Sequence, residues 1–203
     1  MLSSEVLRFA QDFPRDRHSM LFFSRPQEKL EVLAAFTKAG LETGENVCYL
    51  SFANEPDQVL AKLERIGINT ASALKEGRLT VVEDYKLPSG PMFGRAGTLN
   101  VDNFHRAFQP LVSKAKSAGF RLASTAPEHL LKRGTPKELV RLEQEMRKVA
   151  SDDISVLCAY DSVKFRGDNW YDVFSDVTHS HSQGLFLSEK GSSILDLPGG
   201  EEP

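Results

Sequence analysis

Residues 18–52 read as strand, loop, helix and strand, and the loop joining the first two elements contains no glycine. The first strand is the apolar run Met20-Leu21-Phe22-Phe23-Ser24. The second, Asn46-Val47-Cys48-Tyr49-Leu50-Ser51-Phe52, is continuous enough to mark a strand buried on both faces. An α/β domain that holds phosphate after its first strand needs glycines there, and a Gly-Lys-Ser/Thr signature, so that several backbone N–H groups can converge on the anion. Here the turn is Ser24-Arg25-Pro26-Gln27-Glu28-Lys29-Leu30-Glu31. The order of elements looks like that of a nucleotide hydrolase, but the part that grips nucleotide is missing. That points away from ATP chemistry and toward a fold reused for sensing or partner binding.

The remainder keeps the same alternation. Leu30, Leu33, Phe36 and Ala39 share one stripe of a helix predicted over 28–39, with Gly40 and Gly44 as its stop and turn. Val59, Leu60, Leu63 and Ile66 mark a helix opening at Glu55-Pro56-Asp57, and a short helix follows over 70–75, N-capped by Asn69 or Thr70. A third strand spans 77–83. Residues 85–99 are proline- and glycine-rich loop, long enough to be functional or mobile. Phe104, Phe108 and Leu111 define a helix over 101–118, and Phe120–Ser124 is strand four. A short helix at 127–131 precedes one over 136–150 with Leu139, Leu142, Met146 and Val149 facing inward. Ile154–Tyr160 is strand five, 170–177 a helix, 185–187 an edge strand, and 191–203 a disordered tail. Such alternation predicts a parallel sheet with helices on both faces, and a ligand site where the strands' carboxyl ends converge. The organisation expected is an arm or helix over 1–17, one domain over 18–188 and a tail over 189–203.

The 203 residues carry a formal net charge of -3, which gives no reason to expect nucleic acid. No apolar run is long enough for a membrane span, and the first seventeen residues are too charged for a secretory signal. Cys48 and Cys158 each sit inside an apolar run, as reduced core thiols do, and a cytoplasmic location is expected. The pair would gain interest only by being near each other and partly exposed.

Several stretches resemble known families. Gly40-Leu41-Glu42-Thr43-Gly44-Glu45 with the following strand, then Gly67 and Gly77-Arg78-Leu79-Thr80-Val81, are similar to the second-strand region of RecA-superfamily ATPases of the circadian-clock type. A closer resemblance is to the MEDS domain, a sensory domain named for methanogens, methylotrophs and a dichloromethane-responsive regulator. It rests on His18-Ser19 before the apolar-aromatic run, the Gly40-to-Glu45 turn, Cys158-Ala159-Tyr160-Asp161 closing strand five, and Thr178-His179. The resemblance covers about 18–187. It implies a RecA-like, doubly wound, mainly parallel α/β fold with a degenerate phosphate loop, serving signal input with small hydrocarbon-derived ligands. The residues agree on the loss of hydrolysis. Ala53-Asn54 stands where the ATPases place paired glutamates, and Ser124-Thr125-Ala126 where they place a metal-organising aspartate. Lys29 is at most a relic of the phosphate lysine.

Tyr160 and Asp161, a phenol and a carboxylate at a strand's carboxyl end, are the leading ligand-binding candidates, although Asp161 could equally cap the following turn. Ser24, Arg25, Asn54, Glu55, Asp84, Tyr85, Thr125 and Glu128 are expected to ring the same crevice. His18 and His179 join the candidates through the family pattern. His179-Ser180-His181 has the look of a metal pair, but two ligands do not make a zinc site, so no metal and no cofactor are expected. Arg121, the lysines near 114 and Lys132-Arg133 read as solvated helix ends. The loop from Tyr85 to Asn100 is expected to be a lid or interface.

The function expected is therefore a non-catalytic sensory or regulatory domain. It would bind a small ligand or a signalling partner at the carboxyl edge of the sheet, with a homo-oligomer plausible. The alternatives are a residual nucleotide-binding protein or weak ATPase, and a pure interaction subunit.

Overall fold

The computed structural model describes residues 2–15, 17–51, 55–83, 90–150, 153–165 and 170–200. Its strands are β1 (His18–Phe23), β2 (Asn46–Ser51), β3 (Leu79–Glu83), β4 (Phe120–Ser124), β5 (Ile154–Asp161), β6 (Gln183–Ser188) and β7 (Gly191–Asp196). They form one seven-stranded sheet in the order β3-β2-β4-β5-β1-β6-β7. Every neighbouring pair is parallel except β6 and β7, which form an antiparallel hairpin.

Eight helices are described: α1 (Ser4–Gln11), α2 (Pro26–Glu42), α3 (Glu55–Arg65), α4 (Thr70–Lys75), α5 (Val101–Ala118), α6 (Ala126–Arg133), α7 (Pro136–Val149) and α8 (Trp170–His179). The strand period of two divides the core into two layers. Leu21, Phe23, Tyr49, Ala123, Leu157 and Ala159 pack against α1 to α4. Met20, Leu50, Leu122, Val156, Cys158 and Tyr160 pack against α5 to α8. The central strands are buried on both faces, which is why their sequences read as apolar runs rather than as alternation.

Three expectations are corrected here. Gly40 does not stop α2, which runs on to Glu42. A side chain at Gly40 would meet Arg121 Cδ at 2.7 Å and Val47 Cγ2 at 2.9 Å, so the glycine allows the helix to approach the sheet. The turn falls instead at Gly44, whose φ is 83°. Arg121 is not solvated: it lies in β4, 4 % exposed, with Nε donating to Glu45 Oε2 at 2.6 Å and Nη1 to the Ala10 and Phe36 carbonyls. The segment read as a disordered tail supplies β7, whose Ile194 packs into the α1–α4 layer, so the expected edge strand is interior. The loop from Tyr85 to Asn100, expected as a lid or interface, is anchored in the core through part of its described residues. Met92, Phe93 and Leu99 are buried, Phe93 bridges Leu99, and the Leu99 N–H donates to Glu138 at 2.7 Å.

Candidate functional site

The first turn is closed. Pro26 opens α2 and Arg25 precedes it in extended backbone with no side-chain cap. The Arg25 guanidinium pairs with Glu28. Lys29 turns inward, donates to Glu128 Oε2 at 2.6 Å and lies 5.2 Å over the Phe23 ring. The lysine that would reach phosphate is thus held by a carboxylate from α6. Thr125, buried at the start of that helix, donates its hydroxyl to the Leu50 carbonyl at 3.4 Å.

Asp161 takes the capping role: its Oδ1 accepts from the Val163 N–H at 3.0 Å. Asn54, Asp84, Tyr85, the side chains of Glu55, Lys114 and Lys116, and residues 85–89 of the expected lid lie outside the described residues. What the carboxyl edge does offer is a groove of about 420 Å³ beside the ends of β1 and β6. Phe22, Phe186 and Leu187 supply apolar wall, and Ser24, Ser162 and Lys190 supply polar groups. The Ser24 hydroxyl is buried with no hydrogen-bond partner.

The other three candidates do not line this groove. His179, last residue of α8, is exposed and its Nδ1 donates to the Ser175 carbonyl at 2.7 Å. It lines an outer cleft of about 600 Å³ between α7 and α8 with Arg147, Asp176 and Ser180. His18 and Tyr160 belong to a buried polar cluster, together with Glu143 of α7, Cys158 of β5 and His181 from the turn after α8.

The cluster's geometry is tight. His18 Nε2 lies 3.2 Å from Glu143 Oε2 and 3.5 Å from Cys158 Sγ. His181 Nε2 lies 3.4 Å from the same carboxylate oxygen and 3.3 Å from the Tyr160 hydroxyl. On the far side of each ring, Nδ1 faces a backbone carbonyl, Ser180 at 3.0 Å for His18 and Val177 at 2.7 Å for His181. A carbonyl only accepts, so each Nδ1 carries a proton and each Nε2 presents a lone pair inward. Burial pushes the His18 imidazole down to about 3, and burial with the neighbouring His18 does the same to His181. Burial raises the Glu143 carboxyl despite the nearby His181, and pushes the Cys158 thiol and the Tyr160 phenol well up. Neither Glu143 oxygen has a hydrogen-bond partner of good geometry.

Sequence reasoning put two of these five residues, His18 and Tyr160, among the candidates for the carboxyl-edge crevice, weighed His181 and Cys158 and set them aside, and missed Glu143. The signal was available: position 143 falls on the inner stripe of α7, between Leu139, Leu142 and Met146. The His179-Ser180-His181 pairing separates in the structure, one imidazole exposed and the other wholly buried. The two cysteines are both buried, and Cys158 joins the polar cluster.

The sheet order, the two helical layers and the closed first turn define a RecA-like α/β domain whose phosphate loop has been lost. Residues 17–181 match the family described as MEDS, the methanogen/methylotroph, DcmR sensory domain, and the chain belongs to that family. Its fold is shared with the KaiC-like protein PH0186 of the hyperthermophilic archaeon Pyrococcus horikoshii OT3. That match has 16 % identity and a TM-score of 0.62, and covers 91 % of this chain and 81 % of that one. A second protein of that archaeon, PH0250, is similar at 9 % identity and a TM-score of 0.59, with 96 % and 91 % covered. No curated protein matches this sequence. Among the described residues no helix is long and apolar enough to cross a membrane.

Proposed function

We propose that this sensory domain is non-catalytic and binds a small ligand in the groove at the carboxyl ends of β1 and β6. The observation that carries the reading is the buried, unpartnered Ser24 hydroxyl in a groove walled by Phe22, Phe186 and Leu187. An apolar wall faced by hydroxyls, of which the Ser24 hydroxyl alone is buried without a partner, suits a compact, largely apolar molecule bearing a hydrogen-bonding or halogen function, a hydrocarbon derivative in the terms of the family. The closed first turn supports the same reading, because Lys29 is committed to Glu128 and no glycine gathers amides around an anion. The liganded state is passed to a signalling partner or to a second copy of the chain.

Isothermal titration and ligand-observed NMR with short-chain alcohols and haloalkanes test this. Saturable binding by the wild type, lost in Ser24→Leu, is expected. Micromolar binding of Mg-ATP, with hydrolysis abolished by Lys29→Ala, overturns the reading in favour of a residual nucleotide hydrolase.

A further inference from the structure

We propose that His18, Glu143, Cys158 and His181 bind one divalent transition-metal ion, zinc foremost, in a closed tetrahedral site. Bonds of about 2.0–2.1 Å to imidazole and carboxylate, and about 2.3 Å to thiolate, place the donors of a tetrahedral ion about 3.3–3.6 Å apart. Three of the six edges in this structure fall close to that range: 3.2 Å (His18 to Glu143), 3.4 Å (His181 to Glu143) and 3.5 Å (His18 to Cys158). All four donor atoms lie within 4.8 Å of one another, so a small closure of the cluster completes the tetrahedron.

The protonation states lead to the same place. His18 Nε2 and His181 Nε2 turn lone pairs inward onto the Glu143 carboxyl, which burial favours in its protonated form. Neither Glu143 oxygen makes a hydrogen bond of good geometry, so a cation that replaced its proton would give the buried carboxylate the partner it needs. The two backbone carbonyls behind the imidazoles fix the tautomer that leaves Nε2 free, as the outer shell of a metal-bound histidine does.

Charge closes the argument. A divalent ion displaces one proton from the Cys158 thiol and one from the Glu143 carboxyl. The thiolate, the carboxylate and the ion then sum to zero, so a neutral centre occupies a site with no solvent exposure. Two imidazoles, one thiolate and one carboxylate are a borderline donor set, which suits zinc and its tetrahedral analogue cobalt. With four protein donors no coordination position remains for a substrate. The ion locks α7 and the turn after α8 onto β1 and β5. Ser180, on the wall of the outer cleft, supplies the carbonyl that holds His18, so the cleft adjoins the site through the backbone of the turn after α8.

The test is reconstitution of the full chain, refolded under reducing conditions with Zn²⁺ or Co²⁺, with metal counted by native mass spectrometry. One equivalent per chain is expected. The cobalt form should show a thiolate-to-metal charge-transfer band and the intense visible bands of tetrahedral coordination. Cys158→Ser removes the charge-transfer band while Cys48→Ser retains it. Glu143→Gln weakens binding by about 100-fold or more, since even outer-shell changes cost 10- to 100-fold. His179→Ala, at the cleft rim, leaves binding unchanged, and Ser24→Leu separates this site from the groove by leaving the metal count at one. Should the cluster variants fail to fold, X-ray absorption of the wild type decides, with one sulfur and three nitrogen or oxygen neighbours expected. A folded wild type that takes up less than stoichiometric metal overturns the proposal, as does a shell without sulfur.

Discussion

Lys29 Nζ lies 2.6 Å from Glu128 Oε2, and each side chain is 8 % exposed. The contact joins the first turn of α2 to the first turn of α6, across the place where an anion would have to sit. A second cation, Lys132, reaches the other oxygen at 2.6 Å from a much more exposed position. The two lysines are therefore unequal partners of one carboxylate.

That inequality predicts an asymmetric response to substitution. Glu128→Gln removes a charge partner from the buried ammonium and is expected to cost about 2–3 kcal/mol, toward the lower end for breaking a buried pair. Lys29→Met leaves Glu128 with Lys132 and adds apolar volume, and should cost less than about 1 kcal/mol. Urea unfolding of the two variants checks the ranking. Equal costs would mean that the contact is not what holds Glu128.

The same group sets a pH dependence. Burial alone would raise the Glu128 carboxyl, but the charges and hydrogen bonds of Lys29 and Lys132 outweigh it and hold the group below its ordinary 4.5. A carboxyl lowered in the folded state contributes stability that is complete above the unfolded value and is lost as pH falls through the folded one. The stability gap between wild type and Glu128→Gln should therefore be flat from pH 7 to about 5 and shrink below about 4.5. Chemical denaturation at several pH values measures it, and a gap that widens on acidification contradicts the assignment.

Arg121 and Glu45 form a second buried pair, held also by Thr43 at 2.9 Å. Arg121→Met leaves the buried Glu45 carboxylate with Thr43 and the exposed Arg15, 3.8 Å from its other oxygen, and is expected to cost about 3 kcal/mol, the low end for breaking a buried pair. The double variant with Glu45→Gln should recover part of that loss, and thermal unfolding of the four-member cycle reads the coupling.

Gly40 makes an opposed pair of effects measurable. Alanine in the body of α2 gains about 1 kcal/mol of helix propensity. The added methyl, however, meets Arg121 Cδ and Val47 Cγ2 at under 3 Å, and overpacking of this kind costs about 1–3 kcal/mol. Gly40→Ala should therefore destabilise on balance, and Gly40→Ala with Val47→Ala should be less than additive.

Removing residues 191–203 exposes the β6 edge. The expected result is a lower melting temperature together with concentration-dependent association in size-exclusion chromatography, because an unpaired flat strand invites edge-to-edge pairing. A truncated chain that stays monomeric and as stable as the full one would show β7 to be dispensable.

The fold was legible where burial is two-sided. The apolar run over 46–51 read as an interior strand, and the stripes of α5 and α7 as faces turned toward a sheet. What escaped were features set by residues far apart in sequence. Gly191 to Asp196 has weak apolar patterning and becomes a strand because β6 offers it an edge. Arg121 looked like a helix-end cation because its partner, Glu45, is seventy-six positions away. The polar cluster was invisible to reasoning about neighbouring residues, since its donors come from β1, α7, β5 and the turn after α8. Glu143 alone left a local trace, a carboxylate on a helix face otherwise made of leucine and methionine.

His18 and the Ser180 carbonyl that orients it are separated by 162 positions. A chain emerging from the ribosome can build the α2 layer and the β2–β3 pair long before both ends of that bond exist. The polar cluster can therefore be completed only after residues 180–181 are synthesised, and its closure is a late, long-range step that ties opposite ends of the chain into one cooperative unit.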